Sequence, residues 1–196
     1  FKFKSGQPEN NGSFITGWWG ILGLIGWAYL VSAFTYVLCR DSLVKTALVT
    51  LCFLALNILS NKGMLEFTDP VKPVLGVIIQ GNNPLIVLMG LLAGLVIKKI
   101  PVKEFKKVLI IFAVAGVLSI AAGLFLRQWF IISKIQATPS WGLICSGISI
   151  LLFILIYLLV DVLKFRGWAG FLEPAAVNSL TTYLTPSLLY HLIWMS

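Results

Sequence analysis

Residues Trp141–Val160 read WGLICSGISILLFILIYLLV, twenty consecutive positions without a charge. A bilayer core is crossed by about 20 predominantly apolar residues in a helix. A transmembrane β-strand would instead alternate apolar and polar side chains over roughly ten residues. This run is continuous, so the stretch is read as a spanning helix, and it sets the solvent in which the rest of the chain folds. The whole 196-residue sequence agrees: 59% of it is hydrophobic, only 11% is charged, and the mean hydropathy is +0.96. A soluble domain of this size has too few charged residues here to coat its surface. In lipid, backbone polar groups must be satisfied within the segment, which helices achieve. The expected fold is all-α, a polytopic transmembrane helix bundle.

With the runs on either side of it, about six spans are expected, near 14–39, 43–59, 84–98, 108–126, 141–163 and 174–196, in one transmembrane domain fragment covering 1–196. The chain begins on Phe1 and stops inside an apolar run, so truncation at both ends is expected. The first span carries Trp18, Trp19, Trp27 and Tyr29, with Gly17, Gly20, Gly23 and Gly26 forming a small surface that admits another backbone. Asn57 lies near the far end of the second. Pro73–Gln80 is apolar but too short to cross, an interfacial or re-entrant piece. Gly81-Asn82-Asn83-Pro84 then breaks and restarts the chain, with Asn83 suited to an N-cap and Pro84 to the first helical position. Gly90 and Gly94 form a GxxxG pair, and Ala115, Ser119 and Gly123 are at small-xxx-small spacing. Thr138-Pro139 supplies a cap and first residue to the fifth span.

The net charge of +8 comes from cations placed between apolar runs rather than along one face, which excludes a nucleic-acid-binding stripe. Lys98, Lys99, Lys103, Lys106 and Lys107 concentrate in one short loop. Placing residues 98–107 on the cytoplasmic side puts nine cations there and six opposite, in the sense of the positive-inside rule. Cys39, Cys52 and Cys145 lie in apolar segments without metal-ligand spacing and are read as small hydrophobes. No metal site is expected.

Several polar positions are candidates for substrate contact or cavity lining. Asn178, Thr181, Thr182 and Thr185 are spaced i, i+3, i+4, i+7 on one helical face, just before Pro186. A polar stripe on a span faces the bundle, where it either lines a cavity or packs helices by hydrogen bonds. Asp161 ends the fifth span, and either serves a site or pairs with Lys164 three residues on. His191 is the sole histidine and so the candidate general base, but no carboxylate lies near it in sequence to orient it, and its alternative reading is packing or an interfacial role. The connector Arg127–Trp141 mixes cations and aromatics, and Lys134 and Trp141 are its candidates for contact with a sugar or anionic group. Its alternative reading is an interfacial anchor. No catalytic residue is assigned, because no GxSxG, HExxH, Walker loop or paired carboxylates occur.

Three stretches carry a resemblance: Trp18–Tyr29 (WWGILGLIGWAY), Ile132–Trp141 (ISKIQATPSW) and Pro174–Pro186 (PAAVNSLTTYLTP). Together they resemble the bacterial membrane acyltransferases related to heparan-α-glucosaminide N-acetyltransferase, over the C-terminal part of that family's length. The resemblance implies acetyl-CoA as acyl donor, bound from the cytosolic side, and an amino-sugar acceptor such as terminal glucosamine. It also implies a bacterial cytoplasmic membrane location, and N-terminal helices of the same protein as partners. A homodimer is left open. The family's catalytic histidine belongs to an N-terminal segment, and His191 does not match its motif, so a chain of this extent is expected to be inactive alone. Some relatives are labelled amino-sugar transporters, which fits a polar-lined bundle and stands as the alternative. A ligand-free membrane scaffold would instead have the Asn178–Thr185 stripe plugged by neighbouring side chains.

Overall fold

The computed structural model describes residues 20–65, 68, 71–165 and 167–195, without the side chains of 73, 169, 187 and 195. Among these there is no strand. The helices are α1 (Ile21–Cys39), α2 (Leu43–Asn61), α3 (Lys72–Gln80), α4 (Asn82–Lys99), α5 (Phe105–Leu126), α6 (Pro139–Tyr157), α7 (Glu173–Val177) and α8 (Ser179–Met195). Five helical segments are long and apolar enough to cross a bilayer: α1, α2, α4, Val102–Leu126 and Pro139–Val162. The all-α transmembrane bundle expected from composition is the observed fold. Two compact units divide after Ile154.

On α1 and α2 the usual radial order of side chains is reversed, whereas α4 and α5 bury Leu85, Leu88, Leu95, Val108 and Phe112. Ala28, Ser32 and Thr35 are the buried face of α1, and Thr46, Thr50 and Asn57 that of α2. Meanwhile Leu22, Leu30, Leu38, Val44, Leu48 and Leu51 point outward. Such an arrangement is costly in water and natural in lipid, where packing and hydrogen bonds rather than apolar burial hold helices together. The inward hydroxyls of Thr35, Thr46 and Thr50 donate to the carbonyls of Val31, Ser42 and Thr46, four residues back, at 2.8, 3.0 and 2.8 Å. The helix carries its own hydrogen-bond partners inward.

Helices α5 and α6 meet through small residues. A Cβ added to Gly147 would lie 2.6 Å from the Gly116 carbonyl oxygen, and one added to Gly123 would lie 2.9 Å from that of Ser140. Ser119 Oγ donates across the seam to the Leu143 carbonyl at 2.8 Å. The working set on α5 is therefore Gly116, Ser119 and Gly123; Ala115, predicted for this face, is only half-buried because Gly116 takes the contact. The GxxxG pair on α4 behaves oppositely: among the described residues nothing lies within 4 Å of a Cβ added at Gly90 or Gly94. The same holds for Gly26 on α1, which is exposed, while Gly17, Trp18 and Trp19 lie outside the described residues. Gly147→Ala is expected to cost about 1–3 kcal/mol through overpacking against backbone. Gly90→Ala is expected to be neutral, or stabilising by up to about 1 kcal/mol from helix propensity. Detergent unfolding midpoints of the two variants check the difference in sign.

The restart of the chain differs from the sequence expectation in one turn. Gly81, not Asn83, precedes the helix, with φ 74°, and α4 begins at Asn82. Pro84 is accommodated because N–H groups of a first turn have no intrahelical acceptor to lose. The last span also departs from a single helix. Asn178 (φ −109°, ψ 44°) separates α7 from α8, and Pro186 stays inside α8.

Candidate functional site

Asn57 is fully buried on α2, four residues before the helix ends. Its Nδ2 donates to the Gln80 carbonyl at 2.7 Å and to the Ala137 carbonyl at 2.9 Å. One amide thus ties α2 to the C-terminal end of α3 and to the connector between α5 and α6. Asn61 adds a second donor to Ala137, at 3.4 Å, while also donating to the Asn57 carbonyl at 2.9 Å. Gln80 Nε2 reaches the Gln136 carbonyl at 3.5 Å.

Gly81 makes this approach possible. A Cβ there would lie 2.8 Å from the Phe53 carbonyl oxygen and 3.1 Å from the Asn57 nitrogen, and its φ lies in the left-handed region. Only glycine accepts both conditions without strain. The next residue, Asn82, is buried with its Oδ1 against the Cα side of Gly142, where a Cβ would overlap it. The beginnings of α4 and α6 and the end of α3 therefore converge on Asn57 and Asn82. The Oδ1 atoms of these two residues are buried and, among the described residues, have no hydrogen-bond partner. They are acceptors, able to take an N–H, an O–H or a cation, and neither residue is an acid or base. Among the described residues no three His, Cys, Asp or Glu side chains group to hold a metal.

The connector is built to present this geometry. Ala137 adopts φ 49°, a conformation unusual for a residue with a Cβ, and its carbonyl is the one that Asn57 and Asn61 grip. Ser140 Oγ, fully buried, lies 3.0 Å from both the Phe130 and the Ile131 carbonyls. Thr138 is the cap of α6 through its carbonyl, which accepts from the Gly142 N–H at 3.1 Å. Its hydroxyl instead accepts from the Ser133 N–H at 3.1 Å, closing the connector on itself. Lys134 is exposed on this turn and Trp141 is half-buried in the first turn of α6.

At the other end of α4, Lys98 Nζ is 2.7 Å from Asp41 Oδ1 and 3.4 Å from the Tyr36 hydroxyl. The ammonium of Lys98 holds the Asp41 carboxyl below the usual carboxylate range, with Tyr36 and Lys99 adding to the effect. This pair sets the turn between α1 and α2 beside the start of the lysine-rich loop, where Lys107 pairs with Glu104 at 2.7 Å.

The remaining sequence candidates lie in the second unit. Asp161 sits in a π-helical turn, Leu158–Val162, and Lys164 takes φ 56°. The wider turn and the left-handed residue break the i, i+3 register, and among the described residues the two form no ion pair. Asn178, Thr181, Thr182 and Thr185 are exposed. Asn178 Nδ2 donates to the Pro174 carbonyl at 3.2 Å, Thr182 to that of Asn178 at 3.0 Å and Thr185 to that of Thr181 at 2.6 Å. Those hydroxyls are engaged by the helix that carries them. His191 is exposed beside Tyr190, ring centroids 6.2 Å apart. The three cysteines are free, and Cys52 faces outward.

Compared with known family models, curated proteins and solved structures, the chain matches none.

Proposed function

We propose that this chain is the C-terminal membrane part of an acyl-CoA-dependent acyltransferase that moves an acetyl group to an amino sugar such as terminal glucosamine. The observation that carries the reading is the anchoring of Ile132–Trp141, the most specific of the three resembling stretches. Asn57 and Asn61 donate to its Ala137 carbonyl, and its Ser140 hydroxyl donates to the Phe130 carbonyl, so the stretch is tied to α2 and to its own connector. Sites need such support to hold a substrate in productive geometry. On this reading Lys134 and Trp141 meet the sugar, while the lysine-rich loop 98–107 faces the cytoplasm of a bacterial cell, on the side from which acetyl-CoA arrives.

The chemistry is transfer from a thioester to an amine. The sugar nitrogen attacks the acetyl carbonyl, a base takes its proton, and the coenzyme leaves as thiolate as the tetrahedral intermediate collapses. The node offers acceptors and no base, so the base comes from the family's N-terminal segment and these helices shape the cavity. Protein expressed from the complete open reading frame, given labelled acetyl-CoA and glucosamine, is expected to yield labelled N-acetylglucosamine. No transfer in the presence of a folded, membrane-inserted protein overturns the reading.

A specific feature favours the alternative of an amino-sugar transporter. The α3–α4 break at Gly81 gathers helix ends around two unpartnered amide oxygens, as transporters do at binding sites. Uptake of N-acetylglucosamine into proteoliposomes without acetyl-CoA would select it.

A further inference from the structure

Between α4, α5 and α6 runs a cavity of about 300 Å³, walled by Met89, Gly90, Gly94, Phe112, Ile150 and Phe153. Gly90 and Gly94 hold it open, since among the described residues no atom comes within 4 Å of where their Cβ would be. Its α4 wall extends from Ile86 to Ile97, roughly 16 Å at about 1.5 Å per residue. All three walls belong to segments long and apolar enough to span a bilayer. The long axis therefore follows the acyl chains of a surrounding bilayer, and the α4 wall ends at Ile97, directly before Lys98 and Lys99. At that end Lys98 is committed to Asp41 and Lys107 to Glu104. Lys99, Lys103 and Lys106 make no ion pair among the described residues.

We infer that this slot takes one acyl chain of an anionic phospholipid, whose headgroup is met by the uncommitted lysines. The volume gives room for about ten groups the size of a water or methylene. A substrate arm with internal amides is a poorer fit. The lining offers only the hydroxyls of Ser146 and Ser149, and an unpartnered amide in apolar surroundings is costly. Ser146 Oγ has no partner among the described residues, but a serine on a helix can turn to the carbonyl four residues back, so the slot does not demand a polar guest. Lipid binding here is independent of the acyltransferase reading: it needs only the bundle and its charges.

The test uses the full chain in nanodiscs of mixed zwitterionic and anionic phospholipid, with a photoactivatable group at the acyl terminus and adducts mapped by mass spectrometry. Adducts are expected on Met89, Phe112 or Phe153. Gly94→Leu is expected to lower them about tenfold, because excluding even two methylenes is worth that factor. Ala93 lines the same slot, and Ala93→Phe fills it and serves as the test should Gly94→Leu not fold. Lys103→Ala with Lys106→Ala is expected to erase the preference for the anionic lipid while leaving chain labelling in place. Labelling confined to outward residues such as Ile110 and Leu152 overturns the inference. So does labelling that persists in the filled variants, or that acetyl-CoA displaces.

Discussion

Asn57→Leu is expected to destabilise the bundle by about 2–4 kcal/mol, the largest effect of any single polar substitution in the first unit. The cost comes from what the lost amide leaves behind. Two backbone carbonyls, at Gln80 and Ala137, each lose a buried donor. An unsatisfied buried acceptor costs roughly 1–3 kcal/mol, and interhelical hydrogen bonds in bilayers average about 0.6 with a maximum near 1.7. Water is the usual rescuer of an orphaned carbonyl, and the complete burial of Asn57 withholds it. The loss should travel to the connector, so residues 130–138 become more susceptible to protease in the variant. Asn57→Asp keeps the shape but replaces the donor by an acceptor facing two carbonyls, and is expected to be at least as harmful. Unfolding midpoints in mild detergent, read by circular dichroism, measure both. A change under about 0.5 kcal/mol, the range of ordinary surface substitutions, would mean that the amide does not hold these segments.

The class of fold was legible because it rests on one-dimensional quantities: the run Trp141–Val160 and the long spacing of charges set the solvent, and the solvent sets the helices. The break at Gly81–Pro84 was legible for the same reason, since glycine and proline act locally. What escaped was everything settled by distant partners. Asn57 looks like a lone amide near a helix end, and its acceptors lie 23 and 80 residues away in sequence. A GxxxG spacing cannot say whether another helix will come, so Gly90 and Gly94, which keep a cavity open, read the same as a packing pair. The seam between α5 and α6 is legible at Ser119 and Gly123 and differs only in its first position, Gly116 in place of Ala115, because neighbouring small residues leave that position ambiguous. The Asn178–Thr185 stripe was read from periodicity, yet its hydroxyls can be satisfied by their own backbone, which periodicity does not reveal.

Gly81→Ala carries the second large effect, about 2–5 kcal/mol, and it tests whether the node is one unit. An alanine held at φ 74° costs about 1–2 kcal/mol from the clash of its Cβ with its own backbone. The methyl would also lie 2.8 Å from the Phe53 carbonyl oxygen and 3.1 Å from the Asn57 nitrogen, both main-chain atoms of α2 that cannot rotate aside. Overpacking of this kind adds about 1–3 kcal/mol. To relieve it, the junction of α3 and α4 must withdraw from α2, and the Gln80 carbonyl withdraws with it from the Asn57 amide. The two variants therefore destroy part of the same interaction. Their double mutant should cost less than the sum of the singles by at least about 0.5 kcal/mol, the threshold at which neighbours couple. Strict additivity would show that Gly81 serves only its own turn. Coupling would show that the glycine is there to let the amide reach.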